Sequence, residues 1–240
     1  MRSDFADVWT KKPDLPLTTE VFPRHDEFSF LRQAWSVLCL AAAAGLLVWN
    51  VVRIGSSPHV LQWWLPFAVL AGMIAADFVS GVVHWAADTW GSETMPIIGR
   101  RLLHPFRVHH VKPDDFLRRQ FIDTNGDVGM LMAVPLAASL WIPLDATANC
   151  VLAIFVTAFC GVGLFTNQVH QWAHMPAPPA VVRALQDWGI ILGRQAHQRH
   201  HDHPYDANYC IATGWCNRPL AAIDFFRRLE RLMSCVTGVQ

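Results

Sequence analysis

Charge is scarce in this chain. Only 16 % of its 240 residues are Asp, Glu, Lys or Arg, against about 25 % in soluble domains, and 52 % are apolar. The 19 basic and 19 acidic residues cancel, so there is no case for a nucleic-acid partner, which needs an excess of positive charge. Tyrosine is almost missing, with two Tyr against 11 Trp. Indole favours membrane–water interfaces. The six cysteines (Cys39, Cys150, Cys160, Cys210, Cys216 and Cys235) contain no C-x-x-C pair. They read as reduced core residues, not as a disulfide framework. No flavin-type glycine motif and no iron–sulfur cysteine pattern occurs either. The first 33 residues form a polar leader with Pro13, Pro16, Pro23 and five acidic residues before Glu27. That leader has the character of neither a signal peptide nor a transit peptide.

What is present is a series of long apolar runs. Residues 34–54 have the length of a membrane-spanning helix. A second run, from 60 to beyond 83, outlasts a hydrocarbon core of about 30 Å, so its last turns should emerge into the interface. A third, 128–143, is shorter and holds Pro135, and a fourth, 148–165, is uninterrupted. The stretch 188–192 is too short to span and reads as a packed or re-entrant turn. If all four runs cross, the short loops 55–59 and 144–147 share one side, and of the 19 Lys and Arg only Arg53 lies near it. The positive-inside rule then makes the leader, the 89–127 loop and the tail cytoplasmic. Near the C-terminus, 220–233 places Leu220, Ile223, Phe226, Leu229 and Met233 on one stripe. That pattern fits a helix lying on the membrane surface or a cap helix packed on the bundle.

Ten of the 12 histidines gather into four groups, all on the predicted cytoplasmic side. These are His84 with Asp88; His104, His109 and His110; His170 with His174; and His197, His200 and His201, with His203 just beyond. Residues four apart share a helical face, so His84 with Asp88 and His170 with His174 each present two ligands together. His197, His200 and His201 converge from one turn, whereas His109 and His110, about 100° apart on a helix, should serve different ions. One metal ion needs about four ligands. The count therefore suits two ions held mostly by imidazole, which binds iron, zinc and copper alike. His25 and His59 read as ordinary interfacial polar groups. His104 and His203 complete no spacing and read as supporting or incidental. Asp77, seven residues before His84 in apolar surroundings, reads as supporting a ligand or packing helices. Asn125, in a Thr-Asn-Gly-Asp turn signal, could orient a ligand or water. The cations Arg100, Arg101, Arg107, Lys112, Arg118 and Arg119 read as positive-inside charge before they read as a lipid head-group site.

Five runs carry a resemblance to a known family. They are Asp77-Phe-Val-Ser-Gly-Val-Val-His-Trp-Ala-Ala-Asp-Thr-Trp-Gly91, Pro105-Phe-Arg-Val-His-His110, Asp123-Thr-Asn-Gly-Asp127, Thr166-Asn-Gln-Val-His-Gln-Trp-Ala-His174 and Asn208-Tyr-Cys-Ile-Ala-Thr-Gly-Trp215. The chain from about 77 to 238 resembles the plasmanylethanolamine desaturases and, more distantly, the plastid desaturase acting on phosphatidylglycerol. The resemblance implies eight histidine ligands, at His84, His109, His110, His170, His174, His197, His200 and His201, with an acidic residue at Asp88. His104 falls where relatives can carry arginine, which weakens it as a ligand. The implied activity is O2-dependent dehydrogenation of the 1-O-alkyl chain of an ether phospholipid to a vinyl ether, a plasmalogen.

Removing two hydrogens from a saturated chain needs an oxidant stronger than any side chain, so a metal must carry it. The expectation is an all-α, multi-pass membrane bundle of about four spanning helices with a cytoplasmic histidine-rich cap. It comprises a leader, 1–33, and a desaturase domain, 34–240. Two iron ions and O2 would act on a membrane phospholipid. A cytochrome b5-like or ferredoxin-like donor would deliver electrons at the cytoplasmic face. The setting would be a bacterial inner membrane, or the endoplasmic reticulum of a eukaryote. Three other classes stay open: an acyl-chain desaturase or hydroxylase, a bis-histidine haem carrier, and a metal transporter or regulator.

Overall fold

The computed structural model describes residues 29–60, 62–112 and 116–237, without the side chains of 100 and 237. The leader with its His25 lies outside the described residues. Every regular element among the described residues is helical.

Helix α1, Phe30–Gly55, starts where the Ser29 side chain accepts the Arg32 N–H, satisfying one of the donors a helix start leaves open. Helix α2, Leu65–Thr89, begins with Pro66 in its first turn, a position where proline's missing donor is harmless. It therefore starts a few residues later than the apolar run. A π-helical turn, Gly99–Leu103, leads without a break into α3, His104–Val111. Helix α4 spans Phe121–Ser139, α5 Thr147–His174, α6 Ala180–Asp187 and α7 Arg194–His201. Two tail helices follow, α8 at Asn217–Ala222 and α9 at Phe225–Thr237.

Three helices, α1, α2 and α5, are long and apolar enough to cross a membrane. Helix α4 begins seven residues before its apolar run, so its first two turns carry Asp123, Thr124, Asn125 and Asp127. It continues through Pro135. Helix α5 packs against α1, α2 and α4, and α1 packs against α4. At Gly72 a Cβ atom would lie 2.5 Å from the Phe155 carbonyl oxygen. Glycine there lets α2 approach the backbone of α5 more closely than any side chain would allow.

The loops 56–64 and 140–146 meet at one end. Ser57 Oγ donates to Leu144 O and His59 Nε2 lies 3.1 Å from Asp145 O. Arg53 donates to Ser139 O at 2.6 Å and Ile142 O at 2.8 Å, closing the C-terminus of α4, where a cation is favoured. The one cation of this end thus has a capping role. Helices α2 and α5 both run away from these loops, so their C-terminal ends, with His84, Asp88, His170 and His174, lie at the opposite end. Trp49, Trp63 and Trp141 are exposed toward the short-loop end and Trp35 and Trp188 toward the other, as two interfacial belts would be.

The segment 188–192 is a turn that is exposed at 188–190 and packed only at its end, where Leu192 is buried with its N–H bonded to Ala212 O. The single amphipathic helix expected over 220–233 is instead two helices. Asp224 takes a φ of 51° between them, and Ile223 is exposed. Helix α9 packs as a cap: Phe225 meets Phe78, and Phe226 meets Trp85 and Tyr209.

Candidate metal centre

At 28 residues, α5 extends about 42 Å, longer than a hydrocarbon core. Its last turn carries His170 and His174 out to meet the short helices α3 and α7. There the nine residues singled out for metal binding come together in two adjoining groups. One is His84, His110 and His200 around Asp88; the other is His170, His174, His197 and His201. His109 has a ring nitrogen close enough to serve with either. His109 and His110 point to different sides of α3, as the 100° step of a helix requires. The three imidazoles of α7 do not converge as expected, because His200 turns to the first group while His197 and His201 face the second.

In the first group, Asp88 Oδ2 lies 3.3 Å from His84 Nε2, 3.3 Å from His110 Nε2 and 3.4 Å from His200 Nε2. His200 Nε2 is 3.2 Å from His110 Nε2. In the second, His197 Nε2 stands 3.0 Å from His170 Nε2, 2.8 Å from His174 Nε2 and 3.0 Å from His201 Nε2. A ring nitrogen offers one proton or one lone pair, so hydrogen bonding cannot satisfy three neighbours at once. Ligands on bonds of about 2.0–2.1 Å stand roughly 2.9 Å apart at an octahedral ion and 3.3 Å apart at a tetrahedral one. The observed separations match those edges. His84 Nε2 and His109 Nε2 are also buried without a hydrogen-bond partner, which a cation among these atoms would remedy. The residues present fit two metal ions.

The other ring nitrogens of two histidines are fixed by backbone. His84 Nδ1 donates to Tyr209 O at 3.0 Å, and His200 Nδ1 to Ala207 O at 2.8 Å. Each bond places the proton on Nδ1 and turns the Nε2 lone pair into the cluster, the usual arrangement behind a metal-binding imidazole. Burial pushes His109 and His197 well below the usual histidine range, and the neighbouring imidazoles push the same way. His201 falls to about 2, first through burial and then through His110 and His174. These rings stay neutral at physiological pH, as metal ligands must.

Aromatic rings seal the inner side. Phe106 packs edge-on against His84 at 5.0 Å, and Phe116 lies 4.9 Å from His170 between ring centres. Buried Gln171 holds Phe116 in place by donating to Phe116 O and Arg119 O. Arg107 donates to Ala87 O, Trp90 O and Gly91 O, closing the end of α2 beside Asp88. A cleft of about 270 Å³, lined by His110, His174, Arg194, His197, Gln198 and His201, opens onto the second group. Sequence reasoning overlooked Gln171, Phe106 and Phe116. Gln171 and Phe106 have only their position within histidine motifs as a signal, and Phe116, six residues beyond His110, has none.

The four supporting candidates lie elsewhere. His104 is outside the cluster, with Nδ1 2.6 Å from Glu93 Oε2. His203 packs on Tyr205. Asn125 is buried and donates to Phe121 O, with its Oδ1 unpartnered. Asp77 is buried two turns back along α2 and binds the backbone of 213–216.

The lipid desaturase domain family matches residues 73–240. The chain is 41% identical over 208 residues to a plasmanylethanolamine desaturase of Myxococcus xanthus, covering 86% of this chain and 74% of that protein. It is 39% identical over 216 residues to plasmanylethanolamine desaturase 1 of Mus musculus, covering 86% and 78%. A chloroplastic fatty acid desaturase 4 of Arabidopsis thaliana is 38% identical over 174 residues, covering 71% of this chain and 52% of that protein. No solved structure matches the chain. With a matching domain over most of its length and two relatives near 40% identity, the chain belongs to the lipid desaturase family.

Proposed function

We propose that this chain is an O2-dependent membrane desaturase that converts the 1-O-alkyl chain of an ether phospholipid to a vinyl ether. The observation that carries this reading is the pairing of two adjoining nitrogen-rich ligand groups with about 40% identity to proteins named for that substrate. The ligands are His84, Asp88, His110 and His200 for one iron and His170, His174, His197 and His201 for the other, with His109 between them. When bound, the iron pair supplies the oxidising power that no side chain has.

The substrate gives up two hydrogens, as two protons and two electrons. Reducing O2 to two waters takes four electrons, so two more come from a cytochrome b5-like or ferredoxin-like protein. The chain's own residues hold and shield. The Tyr209 and Ala207 carbonyls set the imidazoles of His84 and His200. Phe106 and Phe116 keep water from the buried side, where an unwanted reaction would otherwise compete. Four helices cross the membrane, α4 among them, sheltered by α1 and α5. The histidine end faces the cytoplasm, where the donor docks, and residues 34–240 form the desaturase domain behind the leader.

Aerobic cells expressing the chain and fed a 1-O-alkyl glycerol test this directly, because acid releases fatty aldehydes only from vinyl ethers. Wild type should yield aldehydes and His200→Ala none, at equal expression. New double bonds in acyl chains without aldehydes would move the substrate to the acyl branch. An active His200→Ala variant with unchanged iron would sink the ligand assignment.

A further inference from the structure

The two ligand groups are built differently. The second takes its four imidazoles, His170, His174, His197 and His201, from the helices α5 and α7. The first depends on a segment, 207–216, that has no regular structure before α8 begins and yet is buried from 209 to 213. A buried irregular backbone must find partners for its polar groups. Here the N–H groups of Ile211, Thr213, Gly214 and Cys216 bond to one face of α2, while the carbonyls of Ala207 and Ala212 go to His200 and Leu192.

That face comprises Asp77, Ser80, Gly81 and His84, at positions i, i+3, i+4 and i+7. Asp77 Oδ1 accepts the Thr213 and Gly214 N–H groups, both at 2.8 Å, and Oδ2 accepts the Cys216 N–H at 2.9 Å. Ser80 Oγ accepts the Ile211 N–H at 3.1 Å. A Cβ on Gly81 would collide with Cys210, so only glycine lets the segment lie this close. Asn217 pairs with both backbone groups of Cys210 at 2.9 Å. Gly214 has a φ of 75°, a left-handed conformation that costs a side-chain-bearing residue energy and that aims its N–H at the carboxylate. The segment then delivers Tyr209 O to His84 and Ala207 O to His200.

We propose that Asp77 is a positioning residue for one metal ion of the pair, acting through the 207–216 segment to set His84 and His200. The inference rests on the metal-binding reading of the two groups. It explains why a carboxylate is kept fully buried in the apolar part of α2, where an ion is costly unless it is bound. Its three N–H partners compensate the charge and turn it into a clamp about 10 Å from His84 along the helix. The ring nitrogens it sets belong to the first group; the segment's bond to α7, from Asn208 Nδ2 to Ala196 O, touches no ligand of the second.

The test is a cobalt(II) titration of the full-length apoprotein in detergent, followed by ligand-field absorption. Wild type should take up two equivalents. Asp77→Asn keeps the shape but turns an acceptor into an amide donor facing the Cys216 N–H. We expect it to bind one equivalent with wild-type affinity and the second roughly tenfold to a hundredfold more weakly, the range for lost ligand support. In a His201→Ala background Asp77→Asn should weaken the remaining tight site. In a His84→Ala background it should change little, because its target is already gone. Equal weakening of both sites, or two equivalents at wild-type affinity, would overturn the proposal. If circular dichroism shows Asp77→Asn unfolded, Ser80→Ala, which frees only the Ile211 N–H, is judged by the same site-selective criterion. A wild type that binds no cobalt would instead overturn the metal reading itself.

Discussion

His200 and His201 are neighbours in sequence, yet they face different groups. His200 Nε2 lies 3.4 Å from Asp88, and His201 Nε2 lies 3.0 Å from His197. Removing either imidazole should therefore empty a different site. Four-ligand structural metal sites bind with about 10–16 kcal/mol, or roughly 2.5–4 kcal/mol for each ligand. At 1.4 kcal/mol per decade, one lost ligand should weaken its own ion by about two to three decades. His200→Ala carries an additional penalty, because Ala207 O loses its donor. The assay is metal content of the purified chain after anaerobic equilibration with iron(II) and gel filtration. Wild type should retain two irons, and each variant one. Combining either variant with His110→Ala then separates them. With His200→Ala the second change falls on a site already lost, so one iron remains. With His201→Ala both sites are damaged and neither iron is retained. Loss of both irons from each single variant, or retention of both, would refute a pair of sites divided along the faces of α7.

Three further outcomes follow from the geometry. Arg53→Ala removes two short charged hydrogen bonds from the end of α4; at about 1.5–3 kcal/mol each before solvent replaces them, thermal unfolding in detergent should show a loss of roughly 2–4 kcal/mol, with iron content unchanged. His104→Gln breaks the pair with Glu93 and removes no member of either ligand group, so iron content and product formation should stay within about twofold of wild type, and loss of an iron would place His104 among the ligands. Apoprotein stability should fall with acid. His109, His197 and His201 are held below their ordinary range by burial, so below about pH 6.5 the unfolded chain takes up protons first, and each group contributes up to about 1.4 kcal/mol per pH unit lost; a flat profile between pH 7 and 5 would contradict their burial as neutral rings.

The histidine groups were legible because metal ligation writes itself as local spacing. Positions i and i+4 on α2, α5 and α7 determine which rings share a face before any tertiary contact is known, whereas His200, at i+3 on α7, turns away from His197 and His201 to the other group. The same reasoning separated His109 from His110. Long apolar runs located α1, α2 and α5, although α5 runs nine residues past its run because polar ligands belong on the emergent turns. Helix α4 was harder to read. Its first two turns are polar yet buried against α1 and α5, so hydropathy alone misplaced its start. The tail was misread as one helix, since apolar periodicity over 220–233 gives no warning that Asp224 adopts a left-handed conformation. Least legible was the support behind the ligands. The Tyr209 and Ala207 carbonyls carry no side-chain signal, and Gln171 acts through carbonyls more than fifty residues away. Such contacts exist only once the fold has brought distant backbone together.

The most direct measurement uses purified chain loaded with iron, a reducing partner, air and a vesicle containing 1-O-alkyl phospholipid. Acid-released fatty aldehyde should accumulate with time, need both reductant and oxygen, and disappear in His84→Ala and His201→Ala alike. An iron-loaded chain that yields no aldehyde while placing double bonds in acyl chains, or that leaves every lipid unchanged, would contradict the proposed function.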